Sequence, residues 1–197
     1  MKKETEELIE KIKGDLKQEL SERRYVHSVS VMKKAIELAQ IYDENVDEAA
    51  LAGLTHDIAK EIPEEESFRI ANENNIEFDE IERMNTKLLH GKIGAFIAKE
   101  RYGVNDRIVN AIRLHTVTSP DMDMLAKIVF VADKVEDTRT AEQIDIDEQR
   151  RLAKENIDDA IILIIDNTVK RLILQGKLIH TTEIYTRNSL IMKKKLS

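Results

Sequence analysis

The segment Leu54-Thr55-His56-Asp57-Ile58-Ala59-Lys60 places a histidine beside an aspartate at the end of a run of mostly apolar, helix-forming residues. A carboxylate that is buried in such a setting is costly unless it is paired with another polar group or bound to a metal ion. Asp57 therefore requires partners, and these must come from other segments of the chain.

Three more histidines and a second aspartate occur in the same kind of setting. Each lies in or at the end of a predicted helix that carries apolar residues, and Asp133 interrupts the apolar run at residues 128–132. Burying so many ionisable groups without an ion is expensive, so we predict that they converge on one metal centre. Because a tetrahedral ion uses only four ligands, six candidates favour a binuclear centre. The six predicted ligands are His27, His56, Asp57, His90, His115 and Asp133.

The chemistry of these donors narrows the function. Imidazole and carboxylate ligands suit iron, manganese, cobalt, zinc or magnesium rather than Cu(I). The chain has no cysteine, which excludes disulfide scaffolds, thiol catalysis and iron–sulfur clusters. A bound metal ion lowers the pKa of water from about 15.7 to about 7, so such a centre can generate a metal-activated hydroxide at neutral pH. The fifth histidine, His180, is predicted to lie at the surface or to cap a helix rather than to bind the metal.

Composition and periodicity favour an all-α protein. The 197 residues include only six glycines and two prolines, too few for the turns of a β-sandwich or barrel. We predict one domain over residues 1–197, with a core at about 20–140 and C-terminal helices at about 150–197 packed on it. An acidic stretch at 142–148 is predicted to be a solvated loop or a helix start. The predicted helices cover approximately residues 3–20, 22–42 (capped by Ser21), 47–58 (capped by Asp47), short helices opened by Pro63 and by Asp79, 87–102 (ended by Gly103), 106–115 (capped by Asn105), 125–135, 160–174 (ended by Gly176), and a last helix from Thr181 or Thr182 to Lys195.

Charge and hydropathy set expectations about partners and location. The formal net charge is −7, which argues against general binding of duplex DNA. The longest apolar run, at residues 160–165, is far shorter than the roughly 20 residues of a membrane span. We therefore expect a cytoplasmic protein with neither a nucleic-acid nor a membrane partner. The apolar stripe at residues 161–174 is compatible with a homodimer interface.

The sequence around the predicted ligands also resembles a known family. The segments that carry the likeness follow one another in order and are Arg24-Tyr25-Val26-His27-Ser28, the His56-Asp57 segment quoted above, Leu89-His90-Gly91, Ile112-Arg113-Leu114-His115-Thr116, and Lys127 through Glu136. They resemble the YqeK family of HD-domain metal-dependent phosphohydrolases, and the likeness spans about residues 20–190. It implies an HD-type helical bundle around one or two metal ions, with iron expected and manganese or cobalt as alternatives. It further implies symmetrical cleavage of diadenosine tetraphosphate to two ADP, in a family also labelled as involved in NAD metabolism.

Cationic side chains near the predicted centre are candidates for binding phosphate. Lys60 follows Asp57 by one helical turn, so we assign it a catalytic role beside Asp57 as well as a substrate contact. The resemblance adds Arg24 and Arg139, and a similar motif argument adds Lys87 and Thr116. The chain departs from the usual family pattern at three non-ligand positions. Lys134, Asp137 and Val117 stand where an aromatic residue, a proline and a threonine are usual.

Three alternatives stay open at this point. The substrate could instead be a nucleoside mono- or triphosphate or a cyclic dinucleotide, which keeps the enzyme class. A diiron centre could activate oxygen rather than water. A non-catalytic nucleotide-binding or scaffold module could use its metal only structurally.

Overall fold

The computed structural model describes residues 1–140 and 145–196, and over these ranges the chain is helical without a β-strand. The all-α prediction is therefore confirmed. Residues 141–144, within the acidic stretch at 142–148, lie outside the described residues. The helices are α1 (Lys3–Glu19), α2 (Glu22–Ile41), α3 (Val46–Thr55), α4 (Glu64–Glu73), α5 (Glu80–Met84), α6 (His90–Tyr102), α7 (Asp106–Leu114), α8 (Met124–Val135), α9 (Ile146–Glu155), α10 (Ile157–Leu174) and α11 (Thr181–Leu196), with a short 3-10 turn at Thr86–Leu88 before α6.

Helix caps explain most of these boundaries. The side chains of Ser21 and Asn105 accept hydrogen bonds from the backbone amides of the first turns of α2 and α7, as predicted. The predicted cap of α3 is wrong: Asn45 accepts from the amides of the first turn, while the Asp47 carboxylate accepts from α1. Pro63 stands one position before α4 rather than at its first residue.

The segment that carries His56 and Asp57 is not helical to the predicted extent. The structure ends α3 at Thr55, and hydrogen bonds between residues three apart then turn the chain through to Lys60. His56 and Asp57 consequently lie in the first turn after the helix. Likewise, α6 begins at His90 and not at residue 87, because the 3-10 turn precedes it.

The most buried helix, α8, lies at the centre of the bundle. Its residues are fully buried over most of its length, and it packs against α2, α3, α7, α9 and α10. The helix α10 contacts α8, α9 and α11, so the C-terminal helices are packed on this core. No helix in the described ranges 1–140 and 145–196 is long and apolar enough to cross a membrane.

A close approach of α2 and α3 fixes the position of the segment that carries His56 and Asp57 and gives a stability prediction. A Cβ atom at Gly53 would lie 3.0 Å from the Met32 Cα and 3.1 Å from the Ala35 Cβ. We therefore expect Gly53→Ala to lower the free energy of unfolding by about 1–3 kcal/mol through overpacking. Gly14→Ala is the matched control, because nothing lies within 4 Å of that position, and it should stabilise α1 by about 0.5–1 kcal/mol. Urea unfolding measures both; equal effects of the two substitutions would contradict the close packing.

Candidate metal centre

The six predicted ligands come from five different segments of the bundle and meet at its centre. His27 lies on α2 and Asp133 on α8, while His56 and Asp57 follow α3. His90 is the first residue of α6, and His115 follows the end of α7. All six side chains are buried. The structure thus brings together every residue that the sequence predicts as a ligand.

Asp57 holds the central place in this cluster. Its Oδ1 atom lies 3.1 Å from Nε2 of His90 and 3.5 Å from Nε2 of His115. Its Oδ2 atom lies 3.5 Å from Nε2 of His56 and 3.7 Å from Nε2 of His27. The same carboxylate therefore faces two groups of histidines. In each group, together with Asp57, the potential ligand atoms lie within 4.8 Å of one another.

The histidine rings present their Nε2 atoms to the centre in the form that binds metal. Three of them direct Nδ1 at a backbone carbonyl: His56 at Gly53 (2.8 Å), His90 at Lys87 (2.6 Å) and His115 at Ile112 (2.6 Å). A carbonyl oxygen only accepts hydrogen bonds, so each Nδ1 carries the proton and each Nε2 carries a lone pair. Such outer hydrogen bonds orient the histidine ligands of metal ions.

Polar atoms in the cluster fit a cation better than they fit one another. The Nε2 atoms of His90 and His115 are 3.0 Å apart, although two lone-pair acceptors cannot hydrogen-bond to each other. The buried Nε2 atoms of His27 and His56 and Oδ1 of Asp57 have no hydrogen-bond partner among the described residues. Buried polar groups normally have one. Four imidazole and two carboxylate donors therefore suit one or two divalent ions.

Electrostatics keeps three of the ligands, Asp57, Asp133 and His115, in the protonation states that metal binding requires. Burial acts to raise the pKa of Asp57, but the imidazoles, that of His56 first, hold it well below its usual value. For Asp133 burial is likewise opposed, first by the Lys134 ammonium, and the pKa is well below its usual value. Burial lowers the pKa of His115 to about 3. The carboxylates are thus ionised and His115 is neutral at pH 7, as metal ligands must be.

Comparison with known proteins identifies the bundle. The HD-domain family profile matches residues 24–138, more than half of the chain.

This chain belongs to the HD-domain family.

Relatives and a solved structure extend the likeness beyond that segment. A Bacillus subtilis protein named symmetrical bis(5'-nucleosyl)-tetraphosphatase is 35% identical over 177 residues, which cover 89% of this chain and 94% of the relative. A Staphylococcus aureus protein of the same name is 34% identical, covering 84% and 85%. A Clostridium acetobutylicum crystal structure, described as a predicted HD superfamily hydrolase involved in NAD metabolism, superposes with a TM-score of 0.90. It is 38% identical and covers 93% of this chain and 97% of its own. The resemblance to YqeK-type HD phosphohydrolases is therefore confirmed, as is a divalent-metal centre in this general form.

Most of the predicted phosphate contacts lie against the HD metal centre. The Lys60 ammonium is 3.0 Å from Nε2 of His90 and 3.6 Å from Oδ1 of Asp57. Arg24 forms an ion pair with Asp57, and Arg139 donates to Oδ1 of Asp133 at 2.9 Å.

The two weaker candidates have different positions. The Thr116 hydroxyl lies 2.9 Å from Nε2 of both His90 and His115. The Lys87 side chain is exposed, and this residue reaches the centre only through its backbone carbonyl, which holds His90. The structure does not bring the Lys87 ammonium to the ligands.

One carboxylate that the sequence patterns do not point to contacts a predicted ligand on the side of its ring that faces away from the centre. Glu136 is fully buried, and its Oε1 atom lies 3.1 Å from Nδ1 of His27. Burial acts to raise the pKa of Glu136, but hydrogen bonds from His27 and Thr138 bring it to about 2. Its place three residues after Asp133, at the end of α8, is the sequence signal that could have identified it.

A cavity of about 610 Å³ adjoins the HD metal centre. Thr116, Lys134 and Arg139 stand on its wall and also contact the ligands. More than half of the lining residues follow position 138, where the HD profile ends. These residues are Arg139, Gln149, Ile164, Asn167, Thr168, Arg171, Leu172, Leu178, His180 and Glu183.

His180, Lys134 and Asp137 are three further residues that the sequence singles out. His180 is buried, so its predicted surface position is wrong, although the Thr182 amide does donate to its Nδ1 atom at 3.3 Å. The Nε2 atom of His180 is 2.8 Å from Oδ2 of Asp79. Lys134, one of the departures from the family pattern, contacts Asp133 at 2.6 Å. Asp137 instead lies outside the centre and pairs with Lys34 at 3.0 Å.

Proposed function

We propose that this chain hydrolyses dinucleoside polyphosphates and cleaves diadenosine tetraphosphate symmetrically to two ADP. The observation that carries the proposal is the direct contact between the ligand cluster and the cavity, through Thr116, Lys134 and Arg139. The symmetrical tetraphosphatases of Bacillus subtilis and Staphylococcus aureus, similar over most of their length, support the substrate class.

The cavity has the size and the charges for one nucleotide half of such a substrate. Small-molecule sites have volumes of about 300–1,000 Å³, and this one has about 610 Å³. Lys134 and Arg139 supply positive charge on the side of the ligand cluster, in a chain whose net charge is −7. The polyphosphate would lie on this side, and the nucleoside would extend towards the wall built by α10 and α11.

Ligands and cations have separate roles in the reaction. When bound, the metal ions held by the six ligands supply an activated water and polarise the phosphoryl oxygens. Asp57 faces both histidine groups and would contribute a charged carboxylate oxygen to a metal ion held by either of them. Symmetrical hydrolysis forms a bond from the water oxygen to the second phosphorus and breaks the bond from that phosphorus to the central bridging oxygen. One ADP leaves, and the attacked half becomes the other ADP.

Cationic side chains stabilise the charge that develops during this step. Negative charge builds on the oxygens of the attacked phosphoryl group, where preorganised cations lower the barrier. Lys60, Arg24 and Arg139 are the candidates, because each lies within contact distance of a ligand. They provide local positive charge for a polyanion that an acidic surface would otherwise repel.

Iron is the metal that we propose, with manganese and cobalt as alternatives. Nitrogen and oxygen donors suit all three ions, so elemental analysis of the protein as isolated from cells decides among them. The cytoplasmic location and a homodimer stay predictions.

A substrate panel tests the proposed function against the alternatives. With the metal-loaded protein, kcat/KM for diadenosine tetraphosphate should exceed that for nucleoside mono- and triphosphates and cyclic dinucleotides by at least about a hundredfold, since the cavity and its cations favour a long polyphosphate. A higher value for one of the other nucleotides would assign the centre to that substrate. Turnover that requires dioxygen would indicate an oxygenase, and no turnover of any nucleotide would indicate a binding module.

A further inference from the structure

One histidine of the metal centre is held differently from the other three. His56, His90 and His115 donate from Nδ1 to neutral backbone carbonyls within three residues of themselves. His27 has the Glu136 carboxylate at its Nδ1, 3.1 Å away and 109 residues later in the chain. The four imidazoles are therefore not equivalent, although all present Nε2 to the centre.

The surroundings of Glu136 fix its carboxylate in this position. Its Oε1 atom accepts from the Thr138 hydroxyl at 2.6 Å, and its Oε2 atom accepts from the Thr138 amide at 2.6 Å. From α9, the Arg150 guanidinium donates to the backbone carbonyls of Val135, Glu136 and Arg139 at 2.9–3.0 Å. The loop that carries Glu136 is thus held on both sides, and the carboxylate is fully buried.

We propose that Glu136 is a positioning residue that makes the metal position containing His27 bind its ion more tightly than the position containing His90 and His115. A carboxylate behind a histidine ligand fixes the tautomer and the ring orientation and makes the ligand nitrogen a stronger donor. The negative charge of Glu136 adds to those of Asp57 and Asp133 on the same side of the cluster. His90 and His115 lack such a carboxylate, because their Nδ1 atoms meet neutral backbone carbonyls. Cations lie on both sides of the cluster: Lys60 contacts His90 and Asp57, while Arg24 pairs with Asp57, and Lys134 and Arg139 pair with Asp133. The contrast between the two positions therefore rests on the carboxylate that Glu136 places at Nδ1 of His27.

Binding of Mn²⁺ to the metal-stripped protein tests this inference without substrate, so its outcome is independent of the proposed reaction. Isothermal titration of the native sequence should resolve a tight and a weak Mn²⁺ position. Glu136→Gln should weaken the tight position about 10- to 100-fold and leave the weak one within about twofold. Asp137→Asn is the matched control: it removes a neighbouring charge that is exposed and paired with Lys34, and it should leave both positions unchanged.

A double-mutant cycle shows whether Glu136 acts through His27. In a His27→Gln background, which lacks the imidazole, Glu136→Gln should have no further effect on Mn²⁺ affinity. An equal loss in both backgrounds, or an equal weakening of both Mn²⁺ positions by E136Q, would overturn the proposal. If E136Q does not fold, Glu136→Asp replaces it. This variant retains the charge but withdraws it from Nδ1, and the same selective loss is expected.

Discussion

Replacement of Asp57 by asparagine is expected to lower kcat for diadenosine tetraphosphate by at least about a thousandfold. The two carboxylate oxygens of Asp57 face both histidine groups, at 3.1 Å from Nε2 of His90 and 3.5 Å from Nε2 of His56. A neutral amide has the same shape but cannot supply a charged oxygen to each group. Loss of metal-assisted charge stabilisation is worth several kcal/mol, and about 4 kcal/mol corresponds to a thousandfold in rate. Steady-state kinetics at saturating metal concentration measures the effect.

The fold should survive this substitution, because the helices around Asp57 are held by apolar packing that the amide leaves intact. Far-UV circular dichroism should match that of the native sequence. Asp121→Asn, an acidic residue in the loop before α8, is the control and should retain full activity. Activity of D57N within tenfold of native would favour a scaffold role for the centre, with the metal serving only structure.

Removal of the metal ions is expected to have an effect of similar size. Dialysis against a strong chelator should lower turnover by at least about a hundredfold, because the buried histidines and carboxylates then have no ion with which to activate water. Thermal stability should fall as well. An ion present at 100 times its dissociation constant stabilises the folded state by about 2.7 kcal/mol, or about 5–10 °C in Tm for a domain of this size. Differential scanning calorimetry with and without metal measures this shift.

Readdition of metal provides the control for chelator damage. Stoichiometric Fe²⁺ or Mn²⁺ should restore both turnover and Tm, whereas Ca²⁺, which prefers oxygen ligands, should restore neither fully. Turnover that persists in the metal-stripped protein at the native rate would contradict a metal-dependent reaction.

Local patterns predict most of the helices of this chain but not all of their ends. Ser21 and Asn105 cap their helices as expected, because a short polar side chain just before an amphipathic run can accept a hydrogen bond from a backbone amide of the first turn. Asn45 and Asp47 could both cap α3 by this criterion. Asn45 is the cap because the Asp47 carboxylate instead accepts hydrogen bonds from Lys2 and Thr5, 42 residues or more earlier in the chain. The end of α3 at Thr55 is likewise set by the tertiary site that His56 and Asp57 must face.

The ligand set follows from sequence because buried ionisable residues in apolar helices have few explanations. The residues that orient these ligands cannot be predicted in the same way. Glu136 looks like an ordinary charge at a helix end until α8 and α2 are packed and its carboxylate meets His27. His180 resembles a surface residue because its partner, Asp79, is about 100 residues earlier in the chain. The cavity wall formed by α10 and α11 depends on how these helices pack on α8, which apolar periodicity alone does not specify.

The site of bond cleavage tests the central claim most directly. Diadenosine tetraphosphate is incubated with the metal-loaded protein in oxygen-18 water. The nucleotide products are separated by anion exchange, and their masses are measured by mass spectrometry. Symmetrical attack by water predicts ADP as the sole nucleotide product, two molecules per substrate, with one oxygen-18 atom in one of the two. Formation of AMP and ATP in equal amounts, or no cleavage, would contradict it.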